Sequence, residues 1–260
     1  GLLSIIFAKN TRFNDLKKQL EKIKAKKAKF IGILLVGCMF SAQAQHDASH
    51  GNERLTKFQV DSILKANITS VEQADKFGKI VIQDIGGRMM PVNTYASKLL
   101  RKLSKHDSYE GFNANQVYLS IQESPRFWFN VPIIYLKLKK SDTIRSLIGL
   151  DTSEKYATLT HFFDNKGGYK LGPYLEEVYK AQSPSAIQKE FIEADQRVSL
   201  LYNTIQGNSL KIFPIPDDAN NKWISSQDHK TGNFKVEDSL YANFINSGFK
   251  YYLYTLDQDK

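Results

Sequence analysis

The sequence predicts an α+β domain in which helix predominates. Two observations carry this: several stretches place apolar residues three and four apart, and one pair of extended runs is split by a glycine pair. Composition bounds it. The 260 residues are 42% hydrophobic and 24% charged, enough for one large domain or two small ones and unlike a collagen or a wholly disordered chain. A formal net charge of +9 suggests nucleic acid only if it is spread over a folded face. It is not spread. Nine Lys/Arg against Asp15 and Glu21 lie between Lys9 and Lys29, leaving 27 basic and 25 acidic residues elsewhere. That balance argues against DNA or RNA as a partner. The lone cysteine, Cys38, excludes an internal disulfide, a Cys-x-x-Cys redox pair and the Cys-x-x-Cys-His that attaches a c-type haem.

The first 44 residues read as membrane or export signals, and the glycine at position 1 suggests a piece of a longer protein. Residues 1–8 suit the stump of a membrane span, 9–29 a basic cytoplasmic loop, and 30–44 a span or a signal-like segment. The uncharged run from Phe30 to Ala42 is short for a bilayer core, which takes about 20 residues. Three anchors stay open: two spans oriented by the positive-inside rule, a signal peptide cut after Ala42-Gln43-Ala44, or lipidation of Cys38 in Leu35-Val36-Gly37-Cys38. Each places residues from about 45 onward outside the cytoplasm, in the periplasm of a bacterial inner-membrane protein. A buried core helix behind a solvated basic helix is the plain alternative.

Residues 45–73 read as a polar tether and a short helix with Phe58, Ile63, Leu64 and Ile68 on its apolar face, and 74–260 as the extracytoplasmic domain. A β-hairpin follows near 79–92: Lys79–Gln83 and Arg88–Val92 flank Asp84-Ile85-Gly86-Gly87, and Pro91, lacking an N–H, puts the second strand at an edge. Asn93 or Thr94 then caps a helix to about Lys105, with Tyr95, Leu99 and Leu103 inward and Lys98, Arg101 and Lys102 towards water. Next come a helix over 114–123 ending before Pro125, a strand over 131–137 and a short helix over 143–150. Helices are expected at 169–182 and 186–207, the latter with Ile187, Phe191, Ala194, Val198, Leu201 and Ile205 as its core stripe. Residues 211–216 are extended by their prolines, and a helix over 236–256 carries Leu240, Phe244, Ser247, Tyr251 and Tyr254 on one side.

Catalytic motifs are absent. There is no Gly-x-Ser-x-Gly, and neither Gly86-Gly87 nor Gly167-Gly168 leads into the Lys-Ser/Thr of a phosphate loop. His46 and His50 are spaced like metal ligands beside Asp47, but in a tether; His106 follows a helix end, His161 sits among apolar neighbours and His229 lies in a polar loop. Asp217-Asp218 lacks the alternating oxygen ligands of a calcium loop. No catalytic or metal-binding residue is therefore assigned. Aromatic clusters such as Phe127-Trp128-Phe129 and Tyr251-Tyr252 suit core packing first and a recognition surface second.

One segment carries more than periodicity. Ala74-Asp75-Lys76-Phe77-Gly78-Lys79-Ile80-Val81-Ile82-Gln83-Asp84, then Gly87-Arg88-Met89-Met90-Pro91-Val92-Asn93-Thr94-Tyr95-Ala96-Ser97-Lys98-Leu99-Leu100-Arg101-Lys102-Leu103, resembles the extracytoplasmic region of fused ResB–CcsA cytochrome c biogenesis proteins of Bacteroidetes type. Asn113–Leu119, Phe127-Trp128 and Pro132–Tyr135 continue the likeness, which spans about residues 74–137. The resemblance implies system II machinery, in which a membrane protein carries haem outward and promotes its covalent attachment to an exported apocytochrome c. Such a parent is a cytochrome c synthase with haem b as its substrate. The tryptophan-rich haem-presenting loop of its CcsA-like half has no counterpart here, where Trp128 and Trp223 stand alone, so no haem ligand carries over and no cofactor is assigned to this segment. The partners implied are apocytochrome c, haem through the CcsA-like half, and the inner membrane. Arg88, Pro91, Lys98, Arg101 and Lys102 are the candidate partner contacts: the edge strand to accept an extended peptide, the cations to meet haem propionates or acidic side chains. The alternative is an exported lipoprotein, anchored at Cys38, that binds a ligand through its aromatic clusters.

Overall fold

The computed structural model describes residues 56–232 and 236–258. The three readings of the anchor, Cys38, the first part of the tether and the His46/His50 pair lie outside the described residues. The described chain is α+β with helix predominating: the strands form only two-stranded antiparallel pairs, and helices supply most of the core. Among the described residues no helix is long and apolar enough to cross a membrane.

Helix α1 (Lys57–Asn67) starts at Thr56, whose hydroxyl and the Gln59 side chain cap each other's backbone reciprocally. Its apolar face is only partly the predicted one: Leu64 is buried and Ile68 packs on the core as expected. Val60 and Leu64 are buried, whereas Phe58 is 80% exposed and Ile63 is also exposed, because only the Val60/Leu64 side meets the body of the domain. Helix α2 (Val71–Gly78) then sends Ala74 and Phe77 into the same core.

The hairpin forms as predicted: β1 (Val81–Gln83) pairs with β2 (Met89–Pro91), and Gly87 takes the φ of 80° that the turn requires. The outer edge of β1 is occupied, since the Gln83 N–H donates to the Lys211 carbonyl at 3.0 Å. The following helix α3 (Val92–Ser104) begins earlier than expected. Pro91 is its N-cap and makes no side-chain cap, so neither Asn93 nor Thr94 caps it. The cause is the ladder: the Val92 N–H is taken by the Ile80 carbonyl at 2.8 Å, which carries the hairpin directly into the first turn, and the fixed φ of Pro91 suits a helix start. Val92, Ala96, Leu99, Leu100 and Leu103 are buried, with Tyr95 partly so.

A second hairpin, unforeseen, joins β3 (Ser108–Tyr109) to β4 (Phe112–Asn113) through Glu110 and Gly111, both at positive φ, the two-residue turn whose twist suits antiparallel strands. Helix α4 (Ala114–Glu123) follows, capped by Asn113 and Gln116, and is the most buried helix of the domain. The predicted strand over 131–137 shrinks to β5 (Ile134–Tyr135), paired with β6 (Tyr156–Ala157). Pro132 removes a donor, and the carbonyls of Leu136 and Lys137 are captured by a buried arginine instead of a neighbouring strand.

That arginine sits on α5 (Asp142–Ile148). Helix α6 (Gly172–Lys180) is shorter than the predicted 169–182, because Tyr169 bridges to Phe163 and Pro173 sets the first turn. Helix α7 (Ala186–Ile205) has its stripe as read, with Phe191, Ala194, Val198, Leu201 and Ile205 buried, but Ile187 in its first turn is 57% exposed. A last hairpin pairs β7 (Phe213–Pro214) with β8 (Trp223–Ile224), followed by α8 (Ser226–Lys230) and α9 (Ser239–Gln258). In α9 the predicted stripe is the solvent face: Leu240, Phe244 and Tyr251 are exposed, while Ile245 is buried and Phe249, Tyr252 and Leu253 pack on the core. Both sides of this helix are apolar, so periodicity alone had no basis for choosing between them.

Candidate functional site

An open groove of about 1170 Å³ runs along the solvent face of α7. Gln196, Ser199, Asn203 and Gln206 form one wall, because they occupy the side of the helix opposite its buried stripe. The hairpin turn at Asp84 and Ile85 and the α3 residues Tyr95 and Lys102 stand across from them, and Gln227 of α8 and Thr231 just after it also line it. The base is aromatic and held: Tyr95 lies 5.4 Å from Tyr118, whose hydroxyl hydrogen-bonds Ser209 at 3.1 Å, and burial pushes the Tyr95 phenol above its ordinary range. At one side Tyr169 and Tyr179 both donate to Asp195, at 2.9 and 2.7 Å. Burial and that carboxylate raise both phenols, Tyr179 to about 12, so they remain donors at neutral pH.

A charged lattice enters the groove through Glu193 and Arg197. Lys137 Nζ reaches Glu190 at 2.9 Å and Glu193 at 3.3 Å, and Arg197 donates to Glu193 at 2.6 Å. The Glu190 hydrogen bond chiefly raises the Lys137 pKa. Burial pushes the Glu193 carboxyl upward, but its bonds from Arg197 and Lys137 outweigh this and hold it below the usual glutamate range. A carboxylate depressed in the folded state stabilises fully above its unfolded value, about 4.3, and that contribution disappears as pH falls through the folded value. The acid limb of stability measured by urea titration between about pH 6 and 2 is therefore expected to flatten in Glu193→Gln, and an unchanged limb would show that the lattice contributes nothing there.

Of the residues the sequence nominated, Arg88 is exposed and pairs with Asp84 through its guanidinium at 3.2 Å and its backbone N–H at 3.0 Å. That backbone bond, with the guanidinium, holds the Asp84 carboxyl low. Pro91 is exposed at the end of β2, and the ladder through Val92, Met90 and Arg88 leaves the Met89 N–H and the Met89 and Pro91 carbonyls on the outer edge. Lys98, Arg101 and Lys102 are exposed on α3. Arg101 pairs with Asp107, and Lys102 is the one of the five that lines the groove.

His161 is partly buried, with its Nδ1 accepting from the Thr158 N–H at 3.2 Å, and His106 lies against Tyr156 with ring centres 6.5 Å apart. His229 belongs to α8 rather than a loop. Asp218 closes a turn by accepting from the N–H groups of Asn220 and Lys222. Trp128 is wholly buried and Phe127 and Phe129 partly so, which makes that cluster core. Among the described residues no group of three or more His, Cys, Asp or Glu is placed to hold a metal ion.

Sequence reading passed over Glu190 and Arg197. Both fall on the three-and-four spacing of the α7 stripe, beside Ala194 and Leu201. A charged residue at a stripe position was the available signal, since it is buried only if paired.

No family model matches the chain. Over 161 residues it is 34% identical to Protein NrfI of Wolinella succinogenes, an overlap that covers 60% of this chain and 17% of that protein. The chain therefore corresponds to less than a fifth of the length of that relative.

Proposed function

We propose that the chain is part of a cytochrome c biogenesis protein of the fused ResB–CcsA type, in which this domain holds an unfolded stretch of apocytochrome c while another part of the protein attaches haem. The similarity to Protein NrfI and the hairpin–helix motif support the family; the lining of the groove is the observation that carries the role. Its side-chain amides and hydroxyls offer donors and acceptors together, and its charges are mixed, with Asp84, Glu193, Asp195 and Asp228 against Lys102, Lys105, Arg197 and Lys211. Such a surface suits peptide groups of any sequence rather than one charge sign. From Glu193 to Gln206 the helix rises about 20 Å, room for about six residues of extended chain. Holding a reactive segment in place removes much of the entropic part of a bimolecular barrier.

In this reading the domain lies in the periplasm, tied to the bacterial inner membrane by the residues before about 45. Haem b is the substrate of the CcsA-like half. Arg88, Pro91, Lys98, Arg101 and Lys102 contact the apocytochrome or the haem propionates from the hairpin and α3 side. Two variants in the intact protein test it: Asn203→Trp, which fills the groove, and Arg88→Ala. Each is expected to lower holocytochrome c several-fold while the abundance and melting temperature of the protein stay unchanged. Undiminished holocytochrome in Asn203→Trp overturns the role; retention of an oligosaccharide rather than a peptide favours the exported ligand-binding alternative.

A further inference from the structure

Three segments meet around a second, smaller pocket of about 510 Å³. Lys105 and His106 come from just beyond the end of α3, Lys137 and Lys140 from the loop after β5, and Lys155 from the approach to β6. Its floor is Tyr135 and Tyr156, cross-strand partners with ring centres 5.8 Å apart. Some exposed lysines elsewhere are answered by acids one helical turn away, as in Lys76–Glu72 and Lys180–Glu176. Here, among the described residues, Lys137 alone is paired, and Lys105, Lys140 and Lys155 face one pocket with no ion pair. Like charges held together cost free energy that a bound anion would recover.

The pocket is also rigidly built. Arg145, with no exposure, donates to the carbonyls of Leu136 (2.6 Å), Lys137 (2.9 Å) and Glu154 (2.7 Å), which pins two of the three lysine-bearing segments to each other. Arg197 donates to the carbonyls of Lys102 (3.1 Å) and Tyr135 (3.2 Å), which ties the end of α3 to the aromatic floor. The Tyr156 hydroxyl adds a bond to the Ser104 carbonyl at 3.3 Å. Lys105 itself closes α3 at φ 67°, a left-handed position where glycine is the ordinary residue, so the backbone strain of a side chain is accepted at the pocket's rim. Two buried arginines that spend their donors on the backbone of the pocket walls make a preorganised cationic cavity rather than a chance meeting of mobile lysines.

We propose that this pocket binds a small ligand bearing two or more carboxylate or phosphate groups, its charges met by Lys105, Lys140 and Lys155 and its uncharged body resting on Tyr135 and Tyr156. Lys105 also borders the groove, but Lys140 and Lys155 do not, so the proposal does not depend on what fills the groove.

Isothermal titration of the 260-residue chain with citrate and, separately, with pyrophosphate tests it. At about 0.05 M salt at least one probe is expected to bind below about 1 mM, and to weaken by roughly tenfold or more at about 0.5 M salt. In Lys140→Gln/Lys155→Gln, whose side chains are exposed and leave the core intact, affinity is expected to fall by roughly tenfold or more, while Lys65→Gln/Lys79→Gln, equally exposed and outside the pocket, binds as the unaltered chain does. Stronger binding of citrate assigns a carboxylate-bearing ligand and stronger binding of pyrophosphate a phosphate-bearing one. Absence of binding by both probes, or equal loss in the two double variants, overturns the proposal.

Discussion

Arg145→Met is expected to destabilise the folded chain by about 3–5 kcal/mol, read as a lower urea midpoint. The guanidinium is wholly buried and makes four hydrogen bonds: three to the carbonyls of Leu136, Lys137 and Glu154, and one to Asp142 Oδ1 at 3.0 Å. Methionine has the volume to occupy much of the space but no donor. The cost is therefore the set of buried carbonyls left without partners, at about 1–3 kcal/mol each before water or relaxation recovers some of it. Arg145→Lys keeps the charge but offers one compact ammonium in place of a planar fork, and is expected to recover less than half of the loss. Arg101→Met, which removes an exposed ion pair with Asp107, is the comparison and is expected to change stability by under about 1 kcal/mol. A loss below about 1 kcal/mol in Arg145→Met would mean that solvent already reaches those carbonyls.

Trp128→Ala is expected to cost about 3–5 kcal/mol, by another mechanism. The indole is fully buried, packs edge-on to Phe127 at 6.3 Å and lies 6.0 Å from Tyr109, and its N–H donates to the Ser120 hydroxyl at 3.1 Å. Truncation leaves a cavity beside the 3₁₀ turn Phe127–Asn130, which carries the indole, and orphans that hydroxyl. For a domain of this size the melting temperature should fall by roughly 6–20 °C in a thermal scan. Trp128→Phe separates the two effects, since it refills most of the volume but cannot donate. If both variants lose equally, the hydrogen bond rather than the packing dominates.

These two side chains mark how far the sequence could be read. Trp128 was legible, because a tryptophan between phenylalanines has few uses other than core. Arg145 was not. It lies in a seven-residue helix among Ile144, Leu147 and Ile148, and nothing local says that carbonyls nine residues away will need its donors. The hairpin was legible for the same local reason as Trp128: a glycine at the turn and a proline at the strand end act within a few residues of themselves. The burial of the α9 face and the exposure of Phe58 and Ile63 on α1 were not, because Phe58 and Leu240 are as apolar as the residues buried in their stead.

The candidate site divides the same way. The sequence supplied Arg88, Lys98, Arg101 and Lys102 as cations on a hairpin and a helix, and the structure leaves all four exposed with Lys102 alone in the groove. The α7 wall was implicit in the periodicity, since naming the buried stripe also names Gln196, Ser199, Asn203 and Gln206 opposite it. What lies across from that wall was not implicit. The meeting of Lys105, Lys140 and Lys155 likewise depends on how α3, the β5 loop and β6 pack.

By itself the sequence determined the helix-predominant α+β class, the first hairpin, most helix positions and the concentration of positive charge before residue 30. Each is set by interactions between residues close in the chain or by composition. Tertiary structure alone decided which of two apolar faces is buried, which charges are paired, and which lysines share a pocket. Those outcomes depend on partners as far apart as Lys137 and Glu190, or Lys102 and Arg197, and chain-local patterns carry no information about such distances.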